Sequence, residues 1–384
     1  MSFELVLKRL GFKDRMPKFY HVDKVLGQGD EFLIVTALTL TAFGVVMVYS
    51  ASYYVAEYHF FFRQLFIAMI GLVVMAFGMF TDPLIYRRWI KVGLLAIVIL
   101  MTLRLFTPIG PSINNTRRWL NLGIVQVQSS EIARCMLIVY IARYMADYPE
   151  IGRKFDRDLG YLMITPILLF ALTMMQPDLS STMMLVFIVS VLLFLGGLRK
   201  RYFFFAFTVG ALIVKLIIKP YQMQRLTDFV YNLLPGYQGG EWPYQQTQGF
   251  IALVRGGFMG GGLGQGCQTM RYLPESHNDF IMAIVGEELG WFGATAVILA
   301  FLILLYRGVL ICKAQPDNFG FLLGAGLLCS LVMYAFVNIG VNVGLLPITG
   351  LPLPFISAGG TSLILSLWSV GVLWRLSRRI KSND

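Results

Sequence analysis

The sequence predicts an all-α polytopic membrane protein with about ten transmembrane helices, and three observations support this fold class. Of the 384 residues, 57% are hydrophobic and 14% are charged, whereas soluble domains have about 45–50% apolar and about 25% charged residues. About ten runs reach the roughly 20 mainly apolar residues that a spanning helix needs. Most charged residues lie at the ends of these runs, so the bilayer is the expected solvent.

The predicted spans divide the chain into three parts. Residues 1–30 form a basic cytoplasmic tail, residues 31–376 a ten-helix membrane domain, and residues 377–384 a cytoplasmic C-terminal tail. Residues 219–279 form one large extracytoplasmic loop between spans 7 and 8. In order, the spans are residues 31–51, 60–80, 89–106, 130–146, 160–176, 179–198, 202–218, 280–306, 319–345 and 355–376.

The distribution of positive charge predicts the orientation. The chain has 32 Lys and Arg against 21 Asp and Glu, and most of the basic residues fall in the two tails and in the loops on the same side. Cytoplasmic loops are enriched in Lys and Arg. We therefore expect a multi-pass protein of the cytoplasmic (inner) membrane with both termini in the cytoplasm, and no nucleic-acid partner.

The long loop before span 8 is expected to be an ordered, lid-like structure on the outer face. Residues 245–258 are apolar enough to form a short interfacial helix, and a glycine-dense stretch follows up to Gly266. That stretch lacks the Gly-Lys-Ser/Thr ending and the preceding strand of a phosphate-binding loop. We therefore exclude nucleotide binding there.

The start of span 8 carries the strongest candidate site. Glu275, His277 and Asp279 lie together at its outer entrance, and charges at the rim of a span are functional candidates by default. The simpler alternatives are that Asp279 is an N-terminal acid stabilised by the helix dipole and that His277 is only a polar contact. Glu287 and Glu288 lie roughly 12 Å further along the helix, so we expect structural roles for them.

Other polar groups lie at the outer ends of neighbouring spans. Glu131 and Arg134 are three residues apart on one helical face, where they can pair; the pair either only neutralises itself or lines a polar cavity. Asp178 lies in a tight outer turn between spans 5 and 6. The segment from Pro347 to Thr361 contains too many Pro and Gly residues for a continuous helix, and such backbone occurs at membrane depth only beside protein or a water-filled cavity.

Three arginines interrupt the bias of positive charge towards the inside. Arg63 lies at the outer start of span 2, and Arg117 and Arg118 lie in the outer loop after span 3. A guanidinium suits a phosphate because of its bidentate geometry and weak hydration. These residues predict an anionic ligand on the outer face.

Taken together, these segments resemble the SEDS family (shape, elongation, division and sporulation) of RodA and FtsW proteins, leaning towards the division type. Each segment alone is weak evidence, whereas the ordered set is specific and covers nearly the whole chain. The segments are Val48-Tyr-Ser-Ala-Ser52, Phe62-Arg-Gln64, Arg117-Arg-Trp-Leu120, Gln128-Ser-Ser-Glu131, Gln176-Pro-Asp178, Tyr272-Leu-Pro-Glu-Ser-His-Asn-Asp-Phe280, Gly286-Glu-Glu-Leu-Gly290 and Leu351-Pro-Leu-Pro-Phe-Ile-Ser-Ala-Gly-Gly360.

The resemblance implies a peptidoglycan glycosyltransferase that polymerises lipid II on the outer face of the membrane. It implies a class B penicillin-binding protein as partner, together with membrane lipids and other division or elongation proteins. The essential acid of the family matches Asp279, and its cavity-lining groups match Arg63, Glu131, Arg134 and Asp178. This chain departs from the family pattern at Asn278, Ala358 and Arg134, where Thr, Tyr and Lys are usual, and Ala358 removes a large aromatic group beside the cavity.

The residues also suit this chemistry on physical grounds. A polymerase outside the cytoplasm needs a donor that is already activated, such as a sugar on a polyprenyl diphosphate. We expect Asp279 to accept the proton of the attacking hydroxyl, and Arg63, Arg134 and Arg117 or Arg118 to hold the leaving diphosphate, with or without Mg²⁺ or Mn²⁺. The alternatives are a lipid II flippase, whose essential charges should extend to the midplane, and a non-catalytic scaffold of the division or elongation machinery.

Overall fold

The computed structural model describes residues 29–56, 58–106, 119–121, 126–151, 157–199, 202, 220–233, 242–270, 272–274 and 276–379. These residues form eleven helices and two short strands. The helices are α1 (Glu31–Ala56), α2 (His59–Phe80), α3 (Pro83–Phe106), α4 (Ser129–Asp147), α5 (Arg157–Met175), α6 (Leu179–Leu195), α7 (Pro220–Leu233), α8 (Tyr244–Gly256), α9 (Ile281–Lys313), α10 (Asn318–Asn342) and α11 (Gly360–Arg378).

The helices follow the predicted spans closely. Each predicted span except the seventh overlaps one of α1–α6 or α9–α11, and span 7, residues 202–218, lies outside the described residues apart from Tyr202. Among the described residues, five helices, α1, α2, α5, α9 and α10, are both long and apolar enough to cross a membrane on those criteria alone. The fold is thus a polytopic helical membrane protein, and the count of ten remains a prediction.

Two features of the loops differ from or refine the prediction. Strands β1 (Trp119–Asn121) and β2 (Gln126–Gln128) pair antiparallel in the loop after α3, a hairpin that the hydropathy pattern did not indicate. The long loop contains α7 and α8, and α8 confirms the helix predicted over residues 245–258. Because Gly249 lies against Phe280 and Gly256 against Gly286, α8 runs alongside the start of α9 in the same direction.

Two polar pairs mark the ends of the apolar part of the bundle. The buried Asp30 accepts from Arg307 Nε at 2.7 Å, and Ser50 donates to Glu288 at 2.6 Å. The pairs are 20 residues apart on the α1 side and 19 on the α9 side, which corresponds to about 30 Å of helix. This is the thickness of the hydrocarbon core of a bilayer, and between the pairs α9 carries no charge and α1 carries only Glu31, directly after Asp30. We call the two ends the Asp30 end and the Ser50 end.

Close backbone approach holds α2 and α11 together. A Cβ on Gly371 would lie 2.2 Å from the carbonyl oxygen of Met75. Small residues at such contacts let helices pack tightly in lipid, where no hydrophobic effect drives them together. Because α2 begins and α11 begins at the same end of the bundle, this contact also fixes the spacing of the elements that surround the site.

A kink at Gly290 divides α9 into two parts of different environment. Gly290 has φ +67° and ψ −164°, a backbone region that is essentially restricted to glycine. Before the kink, residues 281–288 are all buried; after it, the helix has an exposed apolar face that begins with Trp291 and Phe292. The kink accommodates the glycine-rich segment after α8, whose Gly261 N–H donates to the carbonyl of Glu287 at 2.9 Å.

We expect Gly290→Ala to destabilise the protein strongly. The new methyl group would lie 2.4 Å from both Gly260 N and Phe258 O, in addition to the backbone strain, so a loss of about 2–4 kcal/mol is expected. Thermal unfolding in detergent, followed by size-exclusion chromatography, measures the change. Gly160→Ala is the matched control: a Cβ at Gly160 meets nothing within 4 Å, and alanine favours its helix. Equal melting temperatures for the two variants would contradict the role given to the kink.

Candidate functional site

Asp279 lies at the Ser50 end of the bundle, two residues before α9. Its side chain is half-buried and faces Gly350, where a Cβ would lie 3.4 Å from Asp279 Oδ2. The position confirms that the acid precedes the helix, as predicted. A half-buried carboxyl at the entrance of a helical bundle can meet a reactant without the full cost of burying a charge.

The backbone just before Asp279 is held by the irregular segment that follows α10. The carbonyl of His277 accepts from the N–H of Ala358 at 2.9 Å, and the carbonyl of Asn278 accepts from Ser357 Oγ at 2.7 Å. Ala358, the position where the family usually has Tyr, therefore contributes through its backbone. The absence of an aromatic side chain leaves this hydrogen bond intact.

Two buried asparagines of α10 hold the next carbonyl. Asn338 Nδ2 and Asn342 Nδ2 donate to the carbonyl of Asp279 at 2.9 and 3.0 Å. Asn342 Oδ1 also accepts from the N–H of Ala283 at 3.0 Å, so one side chain joins Asp279 to the first turn of α9. Three successive carbonyls are thereby held, and the Cα of Asp279 has little freedom to move.

The residues from Pro347 to Thr361, which we call the hub segment, contact every helix that carries a predicted site residue. The carbonyl of Thr349 accepts from Ser180 of α6, the carbonyl of Ser357 from Gln64 of α2, and Thr361 Oγ1 from the N–H of Gln128 before α4. The hub segment contains no regular helix before Gly360. It confirms the prediction of a broken segment that packs beside the site.

The start of α2, which carries Arg63, packs against His277 and the hub segment. The ring of His277 lies against Phe60 with centroids 4.4 Å apart, and Gln64, next to Arg63, binds the hub segment. Arg63 is half-buried in the same first turn of α2. The structure thus brings Arg63 to the level of Asp279, and the His277 ring packs against an aromatic side chain.

Glu131 and Arg134 are deeply buried but make no ion pair among the described residues. The guanidinium of Arg134 instead stacks over the Tyr334 ring, 4.1 Å from its centroid. Arg134 Nε and Nη1 and Glu131 Oε2 are buried and without hydrogen-bond partners. The predicted pairing is therefore wrong in the structure, because the aromatic face competes for the guanidinium. Its free N–H groups are suited to an anion.

Asp178 has a structural position as well as a place in the site. It is the N-cap of α6, where its Oδ1 accepts from the N–H of Ser181 at 3.2 Å, and its Oδ2 accepts from Gln128 Nε2 at 3.0 Å. The carboxylate therefore ties α6 to the start of α4. The buried cluster of Met184, Tyr334 and Leu351 connects this region with the hub segment.

Glu287 and Glu288 hold the glycine-rich segment, which agrees with the structural roles expected for them. Glu287 accepts from the N–H groups of Cys267 and Gln268, and Ser50, which donates to Glu288, accepts from the N–H of Gly264. Both acids lie at the Ser50 end of the apolar part of the bundle. They are therefore not groups of the midplane.

Several predicted residues cannot be placed, and others were missed. Arg117, Arg118 and Glu275 lie outside the described residues. Sequence reasoning did not single out Asn338 or Asn342, although two amides one turn apart in an apolar span were an available signal. Within the described part of the chain, no group of three His, Cys, Asp or Glu side chains has metal-binding geometry.

Together, the fold and the site define a polytopic helical membrane protein whose reactive groups gather at one end of the bundle. The chain belongs to the FtsW/RodA/SpoVE family, described as "Cell cycle protein", whose model matches residues 30–382.

The relatives agree with this membership over most of their length. Stage V sporulation protein E of Bacillus subtilis is 35% identical over 359 residues, covering 91% of this chain and 97% of the relative. A probable peptidoglycan glycosyltransferase FtsW of Idiomarina loihiensis is 37% identical over 362 residues, covering 90% and 86%.

Solved structures show the same architecture. A structure described as "Structural coordination of polymerization and crosslinking by a peptidoglycan synthase complex" has a TM-score of 0.74 at 26% identity, covering 91% of this chain and 98% of the matched chain. A point mutant of the rod shape determining protein RodA from Thermus thermophilus gives a TM-score of 0.66 at 25% identity, covering 92% and 98%.

We expect Asn342→Ala to loosen the backbone around Asp279. The variant removes one of the two donors to the Asp279 carbonyl and the acceptor for the Ala283 N–H, and a buried group left unsatisfied costs about 1–3 kcal/mol. Hydrogen exchange at residues 276–284 should become at least tenfold faster. Ser369→Ala is the control, because the Ser369 hydroxyl bonds only the Leu365 carbonyl of its own helix. Unchanged exchange in Asn342→Ala would refute the holding role.

Proposed function

We propose that this protein is a peptidoglycan glycosyltransferase that polymerises lipid II into glycan strands on the outer face of the cytoplasmic membrane. The observation that carries the proposal is Asp279, a half-buried carboxyl on a backbone held at three successive carbonyls, at the same end of the bundle as Arg63 and Arg134. Relatives with 34–37% identity are named probable peptidoglycan glycosyltransferases. Their FtsW names, with the Gly-Glu-Glu sequence after Asp279, favour a role in division over one in elongation.

The proposed reaction is a single displacement. The hydroxyl oxygen of the acceptor sugar attacks the anomeric carbon of the donor and forms the new glycosidic bond. Asp279 accepts the hydroxyl proton as the bond from the anomeric carbon to the diphosphate oxygen breaks. The electron pair leaves with the diphosphate, whose negative charge is met by guanidinium groups.

The arginines would bind the diphosphate at different depths. Arg63 lies half-buried in the first turn of α2, beside the hub segment, and suits a group that enters from the membrane surface. Arg134 lies deeper, with two buried nitrogens that have no hydrogen-bond partner, and suits a group that remains desolvated. Arg117 and Arg118 belong to the proposal on sequence grounds alone, as do Glu275 and the use of Glu131 and Asp178 as cavity walls.

A divalent cation fits this arrangement only if the donor supplies part of its coordination shell. Mg²⁺ is commonly bound by one or two carboxylates together with phosphate oxygens and water, and Asp279 would contribute a carboxylate. Such an ion would supply positive charge at the diphosphate. Mg²⁺ or Mn²⁺ therefore remains part of the proposal as an accessory.

The distribution of charge argues against a flippase. A diphosphate that crosses the bilayer needs polar groups along its path, yet between the two polar pairs α9 is uncharged and α1 carries only Glu31 at its Asp30 end, and α10 has no charged residue. Glu287 and Glu288 lie at the edge of the apolar region, at the Ser50 end. A pure scaffold does not need a desolvated arginine.

We infer that the polymerase works with a class B penicillin-binding protein, which would crosslink the strands, among other division or elongation proteins. The similar complex is described as coordinating polymerisation and crosslinking. We also infer that both termini lie in the cytoplasm, which places the Ser50 end and Asp279 outside.

We expect Asp279→Asn to abolish polymerisation while leaving the fold intact. Loss of a general base costs about 10²–10⁴ in rate, and asparagine keeps nearly the same shape. The assay uses purified protein with its partner and lipid II in detergent, with glycan length read on gels. Detergent provides no second leaflet, so a flippase would give no polymer even as wild type.

Glu31→Gln is the matched control, because it removes an exposed carboxylate at the opposite end. It should polymerise at the wild-type rate. Polymer of normal length and rate from Asp279→Asn would eliminate Asp279 as the base, and Glu131 would become the next candidate.

The orientation is tested by cysteine labelling. Cys267 is partly exposed at the Ser50 end, so a membrane-impermeant thiol reagent should label it in intact spheroplasts. Glu150→Cys in a Cys267→Ser background probes the exposed loop at the Asp30 end and should react only after lysis. The reverse pattern would invert the topology and exclude an extracytoplasmic reaction.

A further inference from the structure

An exposed apolar patch lies beside the site, where the glycine-rich segment meets the kink of α9. Its members are Val254, Phe258, Met259, Leu263, Trp291 and Phe292, which we call the interfacial patch. Val254 and Met259 are 82% and 80% exposed. Large contiguous apolar surfaces mark contacts with a partner or a membrane, and this one is not used by the mechanism above.

The patch is one continuous surface. The Phe258 and Trp291 rings meet edge to face with centroids 6.4 Å apart, and the N–H of Trp291 donates to the carbonyl of Gly257 at 2.9 Å. Beyond Trp291, the exposed residues Leu299, Leu302 and Tyr306 continue the apolar face along α9. The patch is therefore the upper end of a surface that runs the length of the membrane-crossing part of this helix.

The level of the patch coincides with the edge of the hydrocarbon core. The N–H of Gly262 donates to the carbonyl of Glu288, and that of Gly264 donates to Ser50, so the segment is fixed at the Ser50–Glu288 pair. That pair lies about 30 Å of helix from Asp30 and Arg307. Aromatic residues are enriched at this level of a membrane.

We propose that the interfacial patch inserts into the leaflet at the Ser50 end and holds Asp279 at a set height above the hydrocarbon. That this leaflet is the outer one, and that the height of Asp279 matters for catalysis, rest on the function proposed above. The insertion itself does not. The exposed Arg255, directly after Val254, fits this occupant, because an arginine at the boundary extends its charged end to lipid phosphates.

The height follows from the helix geometry. Asp279 precedes Glu288 by nine residues, so it lies at most about 13 Å above Glu288. The headgroup layer is about 5–8 Å thick on each side. This range includes the outer edge of the headgroups, the level reached by a sugar attached through a diphosphate to a lipid in the same leaflet.

The attachment of the segment to α9 is rigid enough to transmit this height. Glu287 binds the residues after the patch through the N–H groups of Cys267 and Gln268. Glu288 accepts from Ser50, which in turn accepts from the N–H of Gly264 in the glycine-rich segment. Ser276, close to Asp279 in sequence, donates to the carbonyl of Ala51 at 3.1 Å. Neighbouring residues of α1 thus hold both the inserted segment and the segment that carries the acid.

Site-directed spin labelling in nanodiscs of phosphatidylcholine and phosphatidylglycerol tests the insertion. A nitroxide at Met259→Cys, in a Cys267→Ser background, should be accessible to oxygen and protected from a water-soluble nickel complex. Gln265→Cys is the matched control, an exposed polar position in the same segment, and should show the opposite preference. Nickel accessibility at position 259 equal to that at 265 would overturn the proposal.

The same label distinguishes lipid from protein as the occupant. Adding the penicillin-binding partner should leave the oxygen accessibility at position 259 unchanged. Loss of that accessibility on complex formation would show a protein-docking surface and would overturn the membrane assignment.

A functional arm tests the height separately. Met259→Asp should polymerise lipid II within twofold of wild type in detergent and at least fivefold more slowly in vesicles, because a buried charge would push the segment out of the bilayer. Equal loss in both media would refute the height-setting role. If the wild-type protein makes no polymer in either medium, the proposed function fails while the spin-label result still decides the insertion.

Discussion

The site depends on one constraint, which is that buried backbone without a helix must find its hydrogen-bond partners elsewhere. The hub segment places such backbone at the end of the bundle, and its three prolines, Pro347, Pro352 and Pro354, cannot donate at all. Several of its other polar groups bond to side chains and carbonyls from α2, α6, α10 and the segment before α9. Because the hub segment needs these hydrogen-bond partners, helices that are distant in sequence pack around it.

This constraint explains why Asp279 is positioned through its backbone. The amides of Asn338 and Asn342 hold its carbonyl, and the burial of both amides makes each hydrogen bond costly to lose. This arrangement requires two polar side chains within the apolar helix α10.

The sequence predicted most of the helices because their apolar length has a direct physical meaning in lipid. It also placed Asp279 at the start of α9 and recognised the hub segment by its Pro and Gly content. It did not predict that Arg134 stacks on Tyr334, since a choice between an acid and an aromatic ring depends on packing between α4 and α10. It did not predict the kink at Gly290 either, because a hydropathy profile does not register a change of backbone direction.

Two separate sets of hydrogen bonds thus determine the lateral position and the height of Asp279. Hydrogen bonds from the hub segment and α10 fix Asp279 within the plane of the membrane, relative to Arg63 and Arg134. The carboxylates of Glu287 and Glu288 fix the glycine-rich segment on α9 and hence, through α1, its level. A donor anchored in a bilayer has its own height set by its lipid, so an enzyme acting on it must match that height as well as the lateral geometry. Glycines are required at the crossing because the segment approaches the backbone of α9 more closely than any side chain would permit, as the contact between Gly260 and Gly290 shows.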